Sequence, residues 1–457
     1  MARTLFSRIW DAHAIADLPS GETLVAVDRV FLHERTGSVA LQGLAEAGRR
    51  PRDPSRVFVT MDHIVSTQEG RGGNDARAPG GEVFITATRD AARAAGINLI
   101  DVLSEDQGIV HVISPELGIA QPGLTLVCPD SHTCSQGALG ALAWGIGSTD
   151  AEHAMATGTL RVKRPKEMRI RVDGQLAQGV SAKDLILHII AALGADGAGR
   201  AAVEFAGEAV EALDVEGRLT LCNMAVEMGA FTALVAPDDT TIRYLKGRRY
   251  APAGEAWDRA VRHWRTLRTD VGAAFDVEHA FDAAEVRPTV TWGVSPAHAA
   301  PVGGHVPHVL PDGVAAYSGL SGGEALSDIA LGGAFIGSCT NARLSDLRAA
   351  AAVLKGRRVA PGLEAIVVPG SQAVRRAAEA EGLDAVFREA GFDWQQPGCA
   401  FCFYAGGQTF APGTRVISST NRNFKNRQGP GVRTHLASPA VVAASAVTGR
   451  ITDPAAL

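Results

Sequence analysis

The sequence predicts an α/β protein with several parallel sheets. In its last third, short apolar runs that end in small residues (GGAFIGSC and LEAIVVPG) alternate with segments whose apolar residues recur at helical spacing (SDLRAAAAVLKG and SQAVRRAAEAEGLDAVFREAGF). A further strand candidate, TRVISS, precedes the polar loop TNRNFKNRQG. This alternation is typical of parallel strands joined by helices.

The rest of the chain gives two similar units and one irregular segment. In the first third, RDAARAAG is helical, INLIDVL and LTLVC are strand candidates, and the Gly/Ala-rich stretch 137–160 has the composition of one closely packed helix. A second unit begins near MRIRVDG and contains the helix SAKDLILHIIAALG. We therefore predict domains over 1–166, 167–290 and 333–457, and a Gly-, Ala- and Pro-rich linker over 291–332.

Composition narrows the class of protein. No apolar run approaches the roughly 18 residues of a membrane span, and the amino terminus lacks the apolar segment of a secretory signal, so the expected location is the cytoplasm. The formal charge of -5 makes nucleic acid an unlikely main partner. Six cysteines in 457 residues are too few for a disulfide scaffold. Clustered cysteines in such a chain more often bind metal or take part in chemistry.

Three cysteines stand out. Cys399 and Cys402 form a C-x2-C pair after a Pro-Gly turn, and Cys339 lies where a predicted strand meets a helix. A structural zinc ion prefers four protein ligands. Three thiolates suit a cubane iron-sulfur cluster in which one iron lacks a protein ligand and can act as a Lewis acid. The alternative is a buried thiol at Cys339 beside a redox or zinc pair.

Paired carboxylates and imidazoles follow two predicted strands. Asp130-Ser131-His132 comes after LTLVC, and Asp62-His63 comes after VFVTM. Ligands gather at the carboxyl ends of such strands, and a neighbouring carboxylate can orient an imidazole for proton transfer. Either pair alone is more often a surface loop or a helix cap. A core histidine is the ordinary explanation of His111.

A polar loop completes the candidate site. Residues 421–427 offer two amides and the guanidinium groups of Arg422 and Arg427. Arginine binds carboxylates through two parallel hydrogen bonds. A solvated basic loop is the simpler alternative, but a site around an electrophilic iron needs groups that hold carboxylates.

These motifs carry a family resemblance. CPDSHT, CNMAVEMGA, GSCTN, PGC-x2-C and NRNF-x2-R resemble the aconitase superfamily, specifically the large subunits of 3-isopropylmalate dehydratase, and the match runs along the whole chain. The resemblance implies three α/β domains around a central cleft with an iron-sulfur cluster, without a swivel domain. It also implies one [4Fe-4S] cluster on the three cysteines and a hydro-lyase that interconverts 2- and 3-isopropylmalate in leucine biosynthesis.

The resemblance also implies roles for single residues. His63, oriented by Asp62, would be the acid at the leaving hydroxyl, and Asp130 and His132 would contact the iron-bound water. Further implied roles are a supporting pair (His111 and Glu227), substrate contacts (Ser131, Asn421, Arg422 and Arg427) and neighbours of the cluster (Asn223 and Asn341).

Two further expectations concern partner and substrate. In one-chain aconitases the general base is a serine on a swivel domain, and this chain stops at Leu457, so we expect a separate small subunit to supply the base and part of the pocket. Pro129 and Asn426 stand where glycine is usual in the isopropylmalate enzymes. The alternatives are a dehydratase of another alkylmalate (methylmalate- or benzylmalate-type), a cluster-free RNA-binding regulator, and a zinc-stabilised scaffold without catalysis.

Overall fold

The computed structural model describes residues 2–457 and has the predicted α/β architecture. Three parallel sheets form its frame, and two small antiparallel sheets flank them. Within the described residues, no helix combines the length and apolarity that a membrane crossing requires.

The first unit is a five-stranded parallel sheet covered by helices. One inner strand, VFVT, is buried along its whole length, as expected for a strand in a parallel sheet covered by helices. The elements are α1 (Leu5–His13), β1 (Ala14–Asp17), β2 (Thr23–Ala26), β3 (Arg29–His33), α2 (Glu34–Glu46), β4 (Val57–Thr60), α3 (Gly81–Ala95), β5 (Asn98–Ile100), α4 (Val110–Glu116), β6 (Thr125–Cys128), β7 (Leu142–Gly145), α5 (Ser148–Thr157) and β8 (Thr159–Val162). The strand order is β5-β4-β3-β6-β7, and β1, β2 and β8 form a small antiparallel sheet.

The prediction of one helix over 137–160 is wrong. The stretch contains the end of a 3-10 helix, then β7, α5 and β8. Gly140 and Gly158 have φ angles of 77° and 70° and end the helices that precede them. The helix ends could not be predicted from this stretch, because a Gly/Ala-rich sequence has no clear apolar periodicity. Glycine readily adopts the left-handed conformation that ends a helix.

The second unit is a four-stranded parallel sheet in the order β11-β10-β9-β12. Helix α6 begins with a capping box between Ser181 and Asp184. The elements are β9 (Glu167–Asp173), α6 (Ala182–Leu193), β10 (Ala202–Ala206), α7 (Glu208–Ala212), α8 (Val215–Met224), β11 (Thr232–Val235), α9 (Asp239–Leu245), α10 (Glu255–Trp264) and β12 (Val277–Asp282). Its apolar core is continuous with that of the first unit.

The third unit is a five-stranded parallel sheet with its own core. Its predicted second helix is two helices, because Gly382 adopts a left-handed conformation between them. The elements are β13 (Thr289–Thr291), β14 (Ala299–Pro301), α11 (Val314–Ser318), β15 (Gly333–Ile336), α12 (Leu344–Leu354), β16 (Glu364–Val367), α13 (Gln372–Ala380), α14 (Leu383–Ala390), β17 (Asp393–Trp394), β18 (Arg415–Ser418), β19 (Arg433–Leu436) and α15 (Pro439–Thr448). The strand order is β17-β16-β15-β18-β19.

The segment 291–332 is packed and does not form a free linker. It contributes β14, α11 and the end of β13, and its side chains Trp292, Val306 and Leu326 belong to the core of the third unit. These contacts could not be predicted from the sequence. The many prolines and glycines remove helix and strand periodicity, but they do not prevent neighbouring side chains from being buried. The exact bounds of the three domains stay a prediction.

Candidate active site

The site lies where the carboxyl ends of two sheets meet. Asp62 follows β4 and Asp130 follows β6, whereas Cys339 and Asn421 follow β15 and β18 of the third unit. The Cys399 backbone N–H donates to the Asp62 carbonyl oxygen at 2.7 Å and joins the two units directly. The parallel topology therefore gathers the candidate residues in one cleft.

The three predicted ligand cysteines are all buried. The Cys339 sulfur accepts hydrogen bonds from the side-chain amides of Asn223, at 3.2 Å, and Asn421, at 3.4 Å. The Cys402 thiol lies 3.0 Å from the Ser338 hydroxyl. A hydrogen bond from the Cys399 thiol lowers the pKa of Cys402 below its usual value. The Cys402 thiol therefore ionises more readily than an ordinary cysteine.

Three further cysteines lie outside the predicted ligand set, and their pKa values are raised, as are those of Cys339 and Cys399. Burial raises the pKa of Cys134 to about 12 and the pKa values of Cys128 and Cys222 well above the usual range. The Cys134 thiol donates to the Cys222 carbonyl oxygen at 3.1 Å. These three are packing thiols that stay protonated.

Uncommon backbone conformations occur in the loops around the site. Of the four non-glycine residues with positive φ in the described chain, Ser338 (79°) precedes Cys339, Ala400 (48°) follows Cys399, and Asn426 (66°) precedes Arg427. Such conformations cost free energy and persist where the surrounding structure holds them. At Asn426 the residue type helps, because asparagine tolerates this conformation better than most residues.

A chain of carboxylates and imidazoles lines the cleft. His63 Nδ1 lies 2.6 Å from Asp62 Oδ1, and His63 Nε2 lies 3.3 Å from Asp130 Oδ2. Burial opposes charge on His63, but the two carboxylates outweigh burial and hold its pKa well above the usual value. Burial likewise acts to raise the pKa of Asp130, but hydrogen bonds from neighbouring histidines hold it well below the usual value. At neutral pH, His63 is therefore a cation that can donate a proton.

The supporting pair differs from the prediction. His111 Nε2 lies 2.8 Å from Asp130 Oδ1, so its partner is Asp130 and not Glu227. Glu227 instead lies 2.8 Å from His132 Nε2 and 2.7 Å from Arg422 Nε. A sequence cannot fix this pairing because Glu227 belongs to the second unit, and its partners depend on how the units pack.

Three further predicted site residues, Asn341, Asn421 and Ser131, differ in the partners that their side chains contact. The Asn341 side chain, predicted beside the cluster, bonds Lys183 and Asp346. Asn421, predicted to bind substrate, donates to a sulfur, and its Oδ1 is buried without a hydrogen-bond partner among the described residues. The side chain of Ser131 lies near His132, with Oγ 3.4 Å from its Nδ1.

Two basic groups face the cleft. Arg422 is held by Glu227, whereas Arg427 packs its guanidinium 5.0 Å from the Phe424 ring centroid. The Arg427 Nε is buried and has no hydrogen-bond partner within the described part of the chain. Buried donors normally have partners, so Arg427 is suited to an anionic ligand.

Sequence reasoning missed two residues at this site. The His33 ring stacks on the His63 ring at 4.0 Å, and the Glu34 carboxylate accepts the backbone N–H groups of Asp62 and Ile64. Burial lowers the pKa of His33 to about 4, which keeps it neutral. Both lie at the end of β3, so the strand-end rule that selected Asp62 could have found them. Ligand atoms of His33, Glu34, Asp62 and His63 lie within 4.8 Å of one another, and His33 Nδ1 is buried without a hydrogen-bond partner among the described residues.

An open cavity of about 560 Å³ adjoins Asp130. Apolar side chains form part of its wall beside the polar groups of the cleft. The lining includes Pro129, Ser131, Ile146, Arg200, Val226 and Phe231.

Comparison with known proteins decides the family. The model of the aconitase family (aconitate hydratase) matches residues 7–449. The chain belongs to the aconitase family. It is 50% identical over 463 residues to the 3-isopropylmalate dehydratase large subunit 1 of Bradyrhizobium diazoefficiens, a match that covers 99% of this chain and 96% of that protein. Among solved structures, the holo-form of aconitase X from Thermococcus kodakaraensis aligns with a TM-score of 0.46 and 14% identity, over 87% of this chain and 84% of that one.

The donor set of this aconitase-family site fits an iron-sulfur cluster. Three sulfurs come together in a buried space, and two amide groups donate to one of them. Hydrogen bonds to the sulfurs are one of the means by which proteins tune the reduction potential of thiolate-bound clusters. The unpartnered Asn421 Oδ1 and Arg427 Nε add polar atoms that a ligand at such a cluster would satisfy.

Proposed function

We propose that the chain is the large subunit of a 3-isopropylmalate dehydratase, a hydro-lyase that interconverts 2- and 3-isopropylmalate in leucine biosynthesis. The observation that carries the proposal is the 50% identity, along almost the whole chain, to a protein named as such a subunit. The buried thiols and the carboxylate-imidazole chain of the site support it. A [4Fe-4S] cluster would be held by Cys339, Cys399 and Cys402.

The cluster, when bound, supplies an iron without a protein ligand, which acts as a Lewis acid on oxygen. The protein supplies the proton and the geometry. His63, kept cationic by Asp62 and Asp130, donates a proton to the leaving hydroxyl, so that water departs as an alkene forms. Arg427 and Arg422 bind the carboxylates and fix the carbon-oxygen bond that breaks.

Removal of the carbon-bound proton is assigned to a partner. The name "large subunit" of the Bradyrhizobium protein supports a complex with a small subunit. We propose that this small subunit supplies the general base and closes the cleft around the substrate. Closure would also exclude water from the reacting groups.

The test is an assay of the complex. The chain is reconstituted anaerobically with iron and sulfide, mixed with the small subunit, and given 2-isopropylmalate, 2-methylmalate or 2-benzylmalate, and the alkene is followed by absorbance. We expect the highest kcat/KM for 2-isopropylmalate. Cys339→Ala should abolish turnover, and the matched control Cys222→Ala, which removes another buried thiol, should retain it.

Two results would overturn the proposal. An iron-loaded wild type that dehydrates another alkylmalate but not 2-isopropylmalate would contradict the substrate. Equal turnover by wild type and Cys339→Ala would contradict the cluster-dependent chemistry.

A further inference from the structure

Lys183 is a buried cation that the proposed chemistry does not use. It lies in the first turn of α6 in the second unit, and its exposed fraction is 0%. Lysine is almost never fully buried without an anionic partner. No carboxylate of residues 2–457 forms an ion pair with it, so its charge requires another explanation.

All three protons of the ammonium group are donated to the third unit. The acceptors are the carbonyl oxygens of Ser419, at 2.9 Å, and Thr420, at 2.6 Å, and Oδ1 of Asn341, at 3.2 Å. These acceptors are neutral. Hydrogen bonds to neutral oxygens satisfy the donors but do not neutralise the buried charge.

The bonded loops are the two that meet at the Cys339 sulfur. One loop contains Cys339 and Asn341, and the other runs from Ser419 to Asn421, whose amide donates to that sulfur. The Ser419 hydroxyl also donates to the Asn341 carbonyl oxygen at 3.2 Å. Lys183 therefore binds both the loop that carries Cys339 and the loop whose Asn421 amide contacts the Cys339 sulfur.

Nearby acidic groups of the described chain favour the charged form of Lys183, but none of them contacts its ammonium group. Burial lowers the pKa of Lys183 to about 7, and Asp346, Cys339 and Asp184 oppose this decrease. The Asp184 carboxylate accepts hydrogen bonds from Ser181 and from the Thr289 backbone N–H. The Asp346 carboxylate accepts one from the Asn341 side chain. Cys339 is the nearby group that becomes anionic when a cluster binds, because its ligands are thiolates.

We propose that Lys183 is a positioning residue for the iron-sulfur cluster: its ammonium group fixes the Cys339 and Asn421 loops and offsets the negative charge of the thiolate-bound cluster. The inference rests on the iron-sulfur part of the proposed function. A positive charge close to a cluster stabilises its reduced, more negative state and raises its midpoint potential. Fixed loops also slow the loss of iron.

The test compares three variants of the full chain after anaerobic reconstitution. Lys183→Met removes the charge and the donors at similar length, and Lys183→Gln removes the charge but keeps an amide donor. Arg218→Met is the matched control, because Arg218 is also a fully buried cation of the second unit but bonds Glu211 and Asp238 within that unit. The measurements are the midpoint potential of the cluster and the rate of iron loss to a chelator.

We expect a more negative potential in both Lys183 variants and a several-fold faster loss of iron, greatest in Lys183→Met. Arg218→Met should keep the wild-type potential, even if it lowers the melting temperature. A wild-type midpoint potential in Lys183→Gln would overturn the inference. This variant decides the test by itself if Lys183→Met does not fold. If the wild type itself binds no iron, the proposed function fails first, so the two failures are distinguishable.

Discussion

His63 is the residue on which the proposed proton transfer depends. Its ring has two aromatic neighbours: His33, stacked at 4.0 Å, and Phe403, whose ring centroid is 5.7 Å away. His33 stays neutral because burial depresses its pKa, so the stack adds no competing charge. The neighbouring rings therefore fix the imidazole while the carboxylates set its charge.

Replacement of His63 should remove the proton donor. We expect His63→Gln to lower kcat by about 10²- to 10⁴-fold, the usual contribution of general acid catalysis, with a smaller effect on KM. The measurement is steady-state turnover of the reconstituted complex. The control is His153→Gln, since His153 is exposed on α5. Wild-type kcat in His63→Gln would exclude His63 as the acid.

At the scale of elements, the loop after β18 depends on one asparagine. Asn426 has a φ of 66°, and its Oδ1 accepts the Gly431 backbone N–H at 2.7 Å. We expect Asn426→Ala to lower the free energy of unfolding by about 1–2 kcal/mol, because alanine pays the steric cost of this conformation and loses the bond. Asn426→Gly should cost less, since glycine adopts positive φ freely. Urea unfolding measures both, and equal losses would contradict this explanation.

Helix α1 gives a pH-dependent prediction away from the site. His13, in its last turn, lies 2.7 Å from Asp28. Burial acts to lower the pKa of His13, but hydrogen bonds to Asp28 and the Ile9 carbonyl outweigh it and raise the pKa above 6.5. The stabilisation by His13 is thus complete below pH 6.5 and is lost as pH rises through the raised pKa. For Asp28 the pKa is lowered from 3.8, so its contribution persists down to acidic pH.

The stabilisation by the His13–Asp28 pair should therefore depend on pH. His13→Gln should melt below wild type at about pH 6, and the difference should shrink toward about pH 9. Melting temperatures across this range provide the measurement. A difference that grows with pH would contradict the assigned pair.

Local sequence predicted the elements better than the contacts between them. Asp62, Asp130 and Cys339 were found because each follows an apolar strand, and a strand-end position carries its own signal. Lys183 does not follow an apolar strand, so the sequence does not mark it as a site residue. It occupies an ordinary first turn of a helix, and its burial arises only where that helix meets the third unit.

At the scale of the whole molecule, the three units meet at the cysteines. The Cys399 loop is bonded to the first unit through the Asp62 carbonyl oxygen, and the Pro397 carbonyl oxygen accepts a hydrogen bond from buried Arg71 at 2.6 Å. The second unit reaches Cys339 through Asn223. A cluster on these cysteines would lie where the three units meet, so its binding should stabilise the whole fold by mass action.

Metal content of the reconstituted chain tests the central claim most directly. We expect about four iron and four acid-labile sulfide per wild-type chain, a melting temperature above that of the cluster-free protein, and the loss of both features in Cys339→Ala but not in Cys222→Ala. Stoichiometric zinc without sulfide, or an iron content that Cys339→Ala does not change, would contradict the iron-sulfur account of this site.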